Sequence, residues 1–205
     1  MGDPDPAVGA AIAWLKSGGI VAFPTDTVYG LAVDPRSRDA VDALFDLKGR
    51  DPRLAVPLLG ASREQVEVCC GVLTGATARL ADAFWPGPLS LILDAPPAID
   101  PRALGGLQTA AVRVPAQSLA RALAAGLDYL VTATSANKSG APAATRAGEL
   151  GDVGSDTRVF VLDDHSAGAE RGRAPSTIVD ARSMPPTLVR AGAIAWSRVL
   201  ESLHG

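Results

Sequence analysis

The polar segments that interrupt this chain carry hydroxyls, amides and guanidiniums, and little that could act as a strong base. "PTDTVYG" at 24–30 offers the hydroxyls of Thr25, Thr27 and Tyr29, and Gly30 permits a close backbone approach. "KGR" at 48–50 sets two cations around one glycine. Such a pair can grip a polyphosphate, arginine through a planar fork and lysine as a point charge, or can simply complement a helix C-terminus. Arg113 in "AAVRVP" and Arg190 in "TLVRAG" place permanent charges inside apolar strand patterns, where each must find water, a partner or a ligand. "TSANKSG" at 134–140 combines three hydroxyls with an asparagine that both donates and accepts, and "APST" at 174–177 adds a further hydroxyl pair. Turns and solvated faces explain each segment singly. Lys48, Arg50, Arg113 and Arg190 form an anion site only if folding brings them together.

Other chemistries lack material. His165 and His204 are the two histidines, too few for a histidine-rich metal site or a Ser-His-Asp relay. No G-x-x-x-x-G-K-[ST] occurs and no G-x-G-x-x-G follows a strand, so a nucleotide would bind by neither of those routes. Cys69 and Cys70 are adjacent, which fits neither a disulfide framework nor a zinc spacing and points to a reducing cytoplasm. With 19 basic and 22 acidic residues the formal charge is −3, so nothing draws nucleic acid globally and an anionic ligand must be met by a local cluster of cations.

The elements that must position these residues follow from periodicity. A length of 205 residues at 47% hydrophobic suits one domain, and few aromatics imply a core of Val, Leu, Ile and Ala. "AVGAAIAWL" lacks the basic start of a signal peptide and is too short to span a bilayer, which takes about 20 apolar residues. Helices are expected from Val8 to Leu15, around Val41 to Lys48, after Ser62 with Gln65 as a capping box, from Thr74 to Phe84, from Ser118 to Ala125 and from Ala195 to Leu203. Strands are expected at "IVAF", "AVPLL", "LSLIL", "AAVRV", "YLVTA", "RVFVL", "STIVD" and "TLVRA", with turns at "WPGP", at 94–106 and at 163–175. Strands mixed with helices throughout predict a single α/β domain around a largely twisted sheet.

Taken in order, "GGIVAFPTDTVYGLAVD", "LKGR", "WPGPLSLIL", "AAVRVP", "TSANKSG" with Thr145, "STIVD" and "VRAGAI" resemble the YrdC-like family of threonylcarbamoyl-AMP synthases, from Gly18 to Ile194. The resemblance implies a single YrdC-like α/β domain over 1–205, a twisted open mixed sheet with helices and a concave basic cavity. It implies a cytoplasmic nucleotidyltransferase that joins L-threonine, bicarbonate and ATP into threonylcarbamoyl-AMP and pyrophosphate, for the threonylcarbamoyl modification of adenosine 37 in tRNA. Mg²⁺ is expected on the ATP phosphates, with no metal held by the protein, and proteins that transfer the threonylcarbamoyl group to tRNA are expected downstream partners.

Residue by residue, the resemblance assigns Lys48, Arg50, Ser135 and Asn137 to catalysis. Thr25, Thr27, Tyr29, Arg113, Ser135 and Ser176 would face threonine, and Lys48, Arg50, Thr109, Asn137, Thr145 and Arg190 would face ATP. One departure stands out. Relatives often carry a lysine before the Pro-Leu that follows Lys-x-Arg and a histidine further on, whereas this chain has Val56 and Gly60; either Arg53 substitutes or the cavity works with fewer cations. An RNA-binding, ribosome-maturation module using the same cavity is the alternative, and a carbamoyl-transfer domain is a third reading.

Overall fold

The computed structural model describes residues 5–25, 28–163 and 174–204. In chain order its first half contains α1 (Pro6–Lys16), β1 (Ile20–Phe23), β2 (Gly30–Ala32), α2 (Arg38–Lys48), β3 (Leu58–Leu59), α3 (Arg63–Cys70), α4 (Gly75–Phe84) and β4 (Leu89–Asp94). Then come β5 (Thr109–Arg113), α5 (Ser118–Leu127), β6 (Val131–Thr132), β7 (Thr134–Ser135), α6 (Gly151–Ser155), β8 (Val159–Val161), β9 (Thr177–Asp180), β10 (Thr187–Arg190) and α7 (Trp196–His204). Among the described residues no helix is long and apolar enough to cross a membrane.

The strands form two open sheets of mixed direction, β7-β2-β1-β8 and β10-β9-β4-β5-β3-β6. Parallel pairing joins β1 to β8, β3 to β5 and β4 to β9; the other neighbours are antiparallel. The α/β class and the mixed, open architecture expected from the sequence are present, divided between two sheets. β1 reads "IVAF" without alternation because both its faces are covered. Ile20 and Ala22 enter the main core with Leu44, Leu58, Leu80 and Leu91, whereas Val21 and Phe23 pack with α1 and α5.

Local chemistry sets the helix ends. Asp5 caps α1 by accepting from Ala7 N at 2.9 Å, with Pro6 in the first turn. Ser37 caps α2 through Ala40 N, and Gly49, at φ 58°, closes it. At α3, Ser62 accepts from Gln65 N as the sequence suggests, and the Gln65 side chain returns to Ala61 N at 2.7 Å, one residue earlier than the usual reciprocal bond.

The expected strand at "YLVTA" shortens to Val131–Thr132, the first two residues of "TSANKSG" form a further strand, and the break between them joins the two sheets. Val131 and Thr132 pair with β3, Ala133 N donates to Pro57 O, and Thr134 and Ser135 then pair with β2 in the other sheet. Thr132 is fully buried at this crossing. Its N–H donates to Val33 O at 3.1 Å, and its Oγ1 accepts from Val33 N at 2.9 Å. Thr132→Val leaves the buried Val33 N–H without that acceptor, at an expected cost of about 2 kcal/mol and about 6 °C in Tm. Thermal unfolding checks this, and a wild-type Tm in the variant would show that the bond does not hold the sheets together.

Candidate functional site

One face of the six-stranded sheet packs on the core and the other floors a cavity of about 430 Å³. Alternation along β4 sends Leu89, Leu91 and Leu93 to the core and Ser90 and Ile92 to the cavity. Along β5 it sends Ala110 and Val112 to the core and Thr109, Ala111 and Arg113 to the cavity. The charge inside the apolar "AAVRVP" pattern is therefore on the open side of its sheet. Register then builds a transverse row. Ser90 pairs with Ile178 and Ile178 with Arg190; because Leu91 faces Val112 across antiparallel β4 and β5, Ser90 lies opposite Arg113, which pairs with Leu59. All five line the cavity, and the four-stranded sheet closes it with Gly30, Thr134 and Ser135.

Arg50, Arg113 and Arg190 all face this space, and no Asp or Glu is among its described lining residues. Arg50 donates to the carbonyls of Leu54 and Ala55, at 3.3 and 2.8 Å, and Arg190 donates to Ser176 O and Oγ. Burial pulls both guanidiniums below their ordinary pKa, and the nearby charge of Arg113 adds to the effect on Arg190. Arg113 itself is only 6% exposed. Desolvated cations on one wall with no carboxylate among its described residues suit an anionic ligand, which would relieve both the repulsion and the lost hydration.

The "KGR" geometry comes from the end of α2. Lys48 is its last residue, Gly49 takes the left-handed conformation that reverses the chain, and Arg50 is thereby released toward the cavity. Lys48 turns the other way. The residue is 2% exposed, and its ammonium donates to Ser135 O, to Asn137 O at 2.8 Å and to Asn137 Oδ1 at 3.4 Å, while Lys48 O accepts from Ser139 N. Burial, with a smaller contribution from Arg50, pulls Lys48 down from 10.5 to about 8. The "TSANKSG" loop is thus tied to α2 from both sides. Within it, Ser135 Oγ donates to Asn137 Oδ1, and Asn137 Nδ2 donates to Ala141 O.

The cavity wall unites Thr25, Tyr29, Arg50, Thr109, Arg113, Ser135, Ser176 and Arg190 from the sequence-derived set. Lys48, Asn137 and Thr145 are not on it: the first two face each other behind the loop, and Thr145 bonds Glu149 Oε2 through both its N–H and its hydroxyl. Thr25 bonds Val28 with its hydroxyl, and Tyr29 is a buried wall whose hydroxyl donates to Asp163 at 2.6 Å. Thr27 and His165 lie outside the described residues.

Arg53 does not replace the missing lysine. Its side chain is 87% exposed and paired with Asp51 at 2.6 Å, so among the described residues it is not on the cavity wall. Val56 is buried on the wall, and a side chain at Gly60 would have to displace Val66, 2.6 Å from its Cβ position. Sequence reasoning missed Ser90 and the apolar wall residues Leu107 and Val189. The signal for Ser90 was the one polar residue in "LSLIL", on the face opposite the three leucines.

The Sua5/YciO/YrdC family model, described as telomere recombination, matches residues 13–192. The threonylcarbamoyl-AMP synthase of Pyrococcus abyssi is 35% identical over 189 residues, covering 92% of this chain and 55% of that protein. A putative threonylcarbamoyl-AMP synthase of Mycobacterium leprae is 35% identical over 205 residues, covering 98% of this chain and 91% of the other. The crystal structure of P. abyssi Sua5 complexed with L-threonine superposes with a TM-score of 0.83 at 32% identity, over 96% of this chain and 57% of that one. The chain therefore spans about half the length of the Pyrococcus protein and most of the Mycobacterium one.

Replacing Lys48 by methionine removes the charge and leaves Ser135 O and Asn137 O without this donor. Because the folded pKa of Lys48 lies below its unfolded value, the unfolded chain binds more protons between about 8 and 10.5. The contribution of this group to stability therefore rises with pH across that window. Thermal melts should show wild type gaining on Lys48→Met as pH rises through it, and a constant difference would contradict the depressed value.

Proposed function

The chain belongs to the Sua5/YciO/YrdC family, and from that premise we propose that it makes threonylcarbamoyl-AMP and pyrophosphate from L-threonine, bicarbonate and ATP. The observation that carries this reading is the single cavity lined by Arg50, Arg113 and Arg190 with no described carboxylate on its wall. A polyanion and an amino-acid carboxylate are the ligands such a wall suits, and its volume falls within the range of about 300–1,000 Å³ usual for small-ligand sites. Both sheets contribute to the one cavity, which supports treating 1–205 as a single domain.

In this reading the threonine amine attacks the bicarbonate carbon and water leaves, giving a carbamate. A carbamate oxygen then attacks the α-phosphorus of ATP, and the bond from that phosphorus to the pyrophosphate oxygen breaks. Charge builds on the phosphoryl oxygens and the leaving group, so placement and cations matter more than a base. Arg50 and Arg190 supply that charge, with Thr109 on the nucleotide side. Arg113 takes the threonine carboxylate in its fork, with Ser135 and Ser176 beside it, Thr27 contributing from the adjoining segment, and Thr25 and Tyr29 shaping the wall.

Lys48 acts through the loop it holds, keeping Ser135 turned to the cavity. Asn137 and Thr145 meet the nucleotide when their present bonds, to Ala141 and Glu149, are exchanged for ligand contacts. No cluster of three or more His, Cys, Asp or Glu able to hold a metal occurs among the described residues, so these residues do not build a metal cage; Mg²⁺ enters with ATP as part of the substrate. The product would pass, in the cytoplasm, to proteins that place the threonylcarbamoyl group on adenosine 37 of tRNA.

Pyrophosphate release from Mg-ATP, with threonine and bicarbonate omitted in turn, tests the reading. Dependence on both is expected, and release indifferent to threonine overturns it. Tight, salt-sensitive RNA binding without turnover would favour an RNA-binding module instead. Arg50→Ala should lower kcat/KM by about 100-fold or more. Its Tm should stay near that of wild type, because among the described residues the Arg50 side chain bonds two nearby backbone carbonyls and no other element.

A further inference from the structure

The Ser90 and Ser176 hydroxyl oxygens lie 3.0 Å apart. Ser176 Oγ also accepts from Arg190 Nη2 at 3.0 Å, while Ser176 O accepts from Nη2 at 2.7 Å and from Nε at 3.2 Å. Two hydroxyls bring two protons, and the bond between them uses one. Whichever oxygen donates, the second proton remains, and Arg190, a donor only, cannot take it. No acceptor for it occurs among the described residues. Ser90 is 2% exposed yet sits on the cavity wall, opposite Arg113 in the transverse row. The remaining proton and the Arg113 guanidinium therefore serve the same space, as a donor set suited to a carboxylate.

We propose that Ser90 is a positioning residue that, through its bond to Ser176, fixes the direction in which the pair's remaining proton is donated to the carboxylate of the amino-acid substrate. The inference rests on the cavity being the threonine and ATP site. Without Ser90, the Ser176 hydroxyl keeps its bond from Arg190 but its own proton is free to swing away from the ligand. A threonine at 90 would keep the hydroxyl on a β-branched frame that a strand favours.

Steady-state pyrophosphate release by the full chain, titrated with threonine at saturating Mg-ATP, separates this from a packing role. In Ser90→Ala the KM for threonine should rise about tenfold with kcat within about threefold. Ser90→Thr should restore the wild-type KM, and Ser90→Ala combined with Ser176→Ala should be no worse than Ser176→Ala alone. A wild-type KM in Ser90→Ala, a Ser90→Thr as weak as Ser90→Ala, or effects of the two serines that multiply would overturn the inference and leave the function standing. A wild-type chain without threonine-dependent release removes the functional reading, and this inference with it.

Discussion

A buried ammonium holds the site together. Lys48 sits at the end of α2 with almost no exposure, its donors directed at Ser135 O, Asn137 O and Asn137 Oδ1, and its carbonyl returns a bond from Ser139 N. Isolated, such a charge would be very costly away from water. Surrounded by acceptors it converts that cost into geometry, since the carbonyls can gather around the ammonium only if the loop folds back onto the helix. Ser135 is thereby turned to the cavity, and Gly49, the next residue in the chain, sends Arg50 toward the same space. One helix end thus sets both walls of the site, one through the ammonium and the other through the main chain.

The remaining cations are placed differently. Arg113 and Arg190 arrive on strands, and their shared face follows from register rather than from any contact between them. Burial lowers the pKa of Arg190, and the nearby charge of Arg113 adds a smaller cost. Ser176, accepting from Arg190 through both its carbonyl and its hydroxyl, holds that guanidinium in place against the repulsion.

Much of this was legible in the sequence wherever one residue's surroundings are local. The cap at Ser62, the helix running into Lys48 and the strands at "LSLIL" and "AAVRV" need only a few neighbours, and they fold as their patterns indicate. "GLA" at 30–32 was hidden because three residues beginning with glycine give no period, although all three are buried between β1 and β7. The division into two sheets was hidden because it turns on a single residue, Ala133, between two pairings with different partners. Arg53 and Lys48 show the limit most clearly: both are cations near the same helix end, yet one pairs with Asp51 in solvent and the other is buried. Only the path of the chain after Gly49 separates them. The family resemblance set Asn137 on the ATP side, whereas its side chain here bonds Lys48, Ser135 and Ala141 and is not on the cavity wall.

The transverse row that floors the cavity draws its members from β3, β4, β5, β9 and β10, with β9 and β10 contributed from far along the chain. A ribosome delivers these strands in order, so the nascent chain holds Arg50, Ser90 and Arg113 long before Ser176 and Arg190 emerge. Until then the floor lacks one edge. The cavity is consequently completed only when the last two strands pair, late in synthesis.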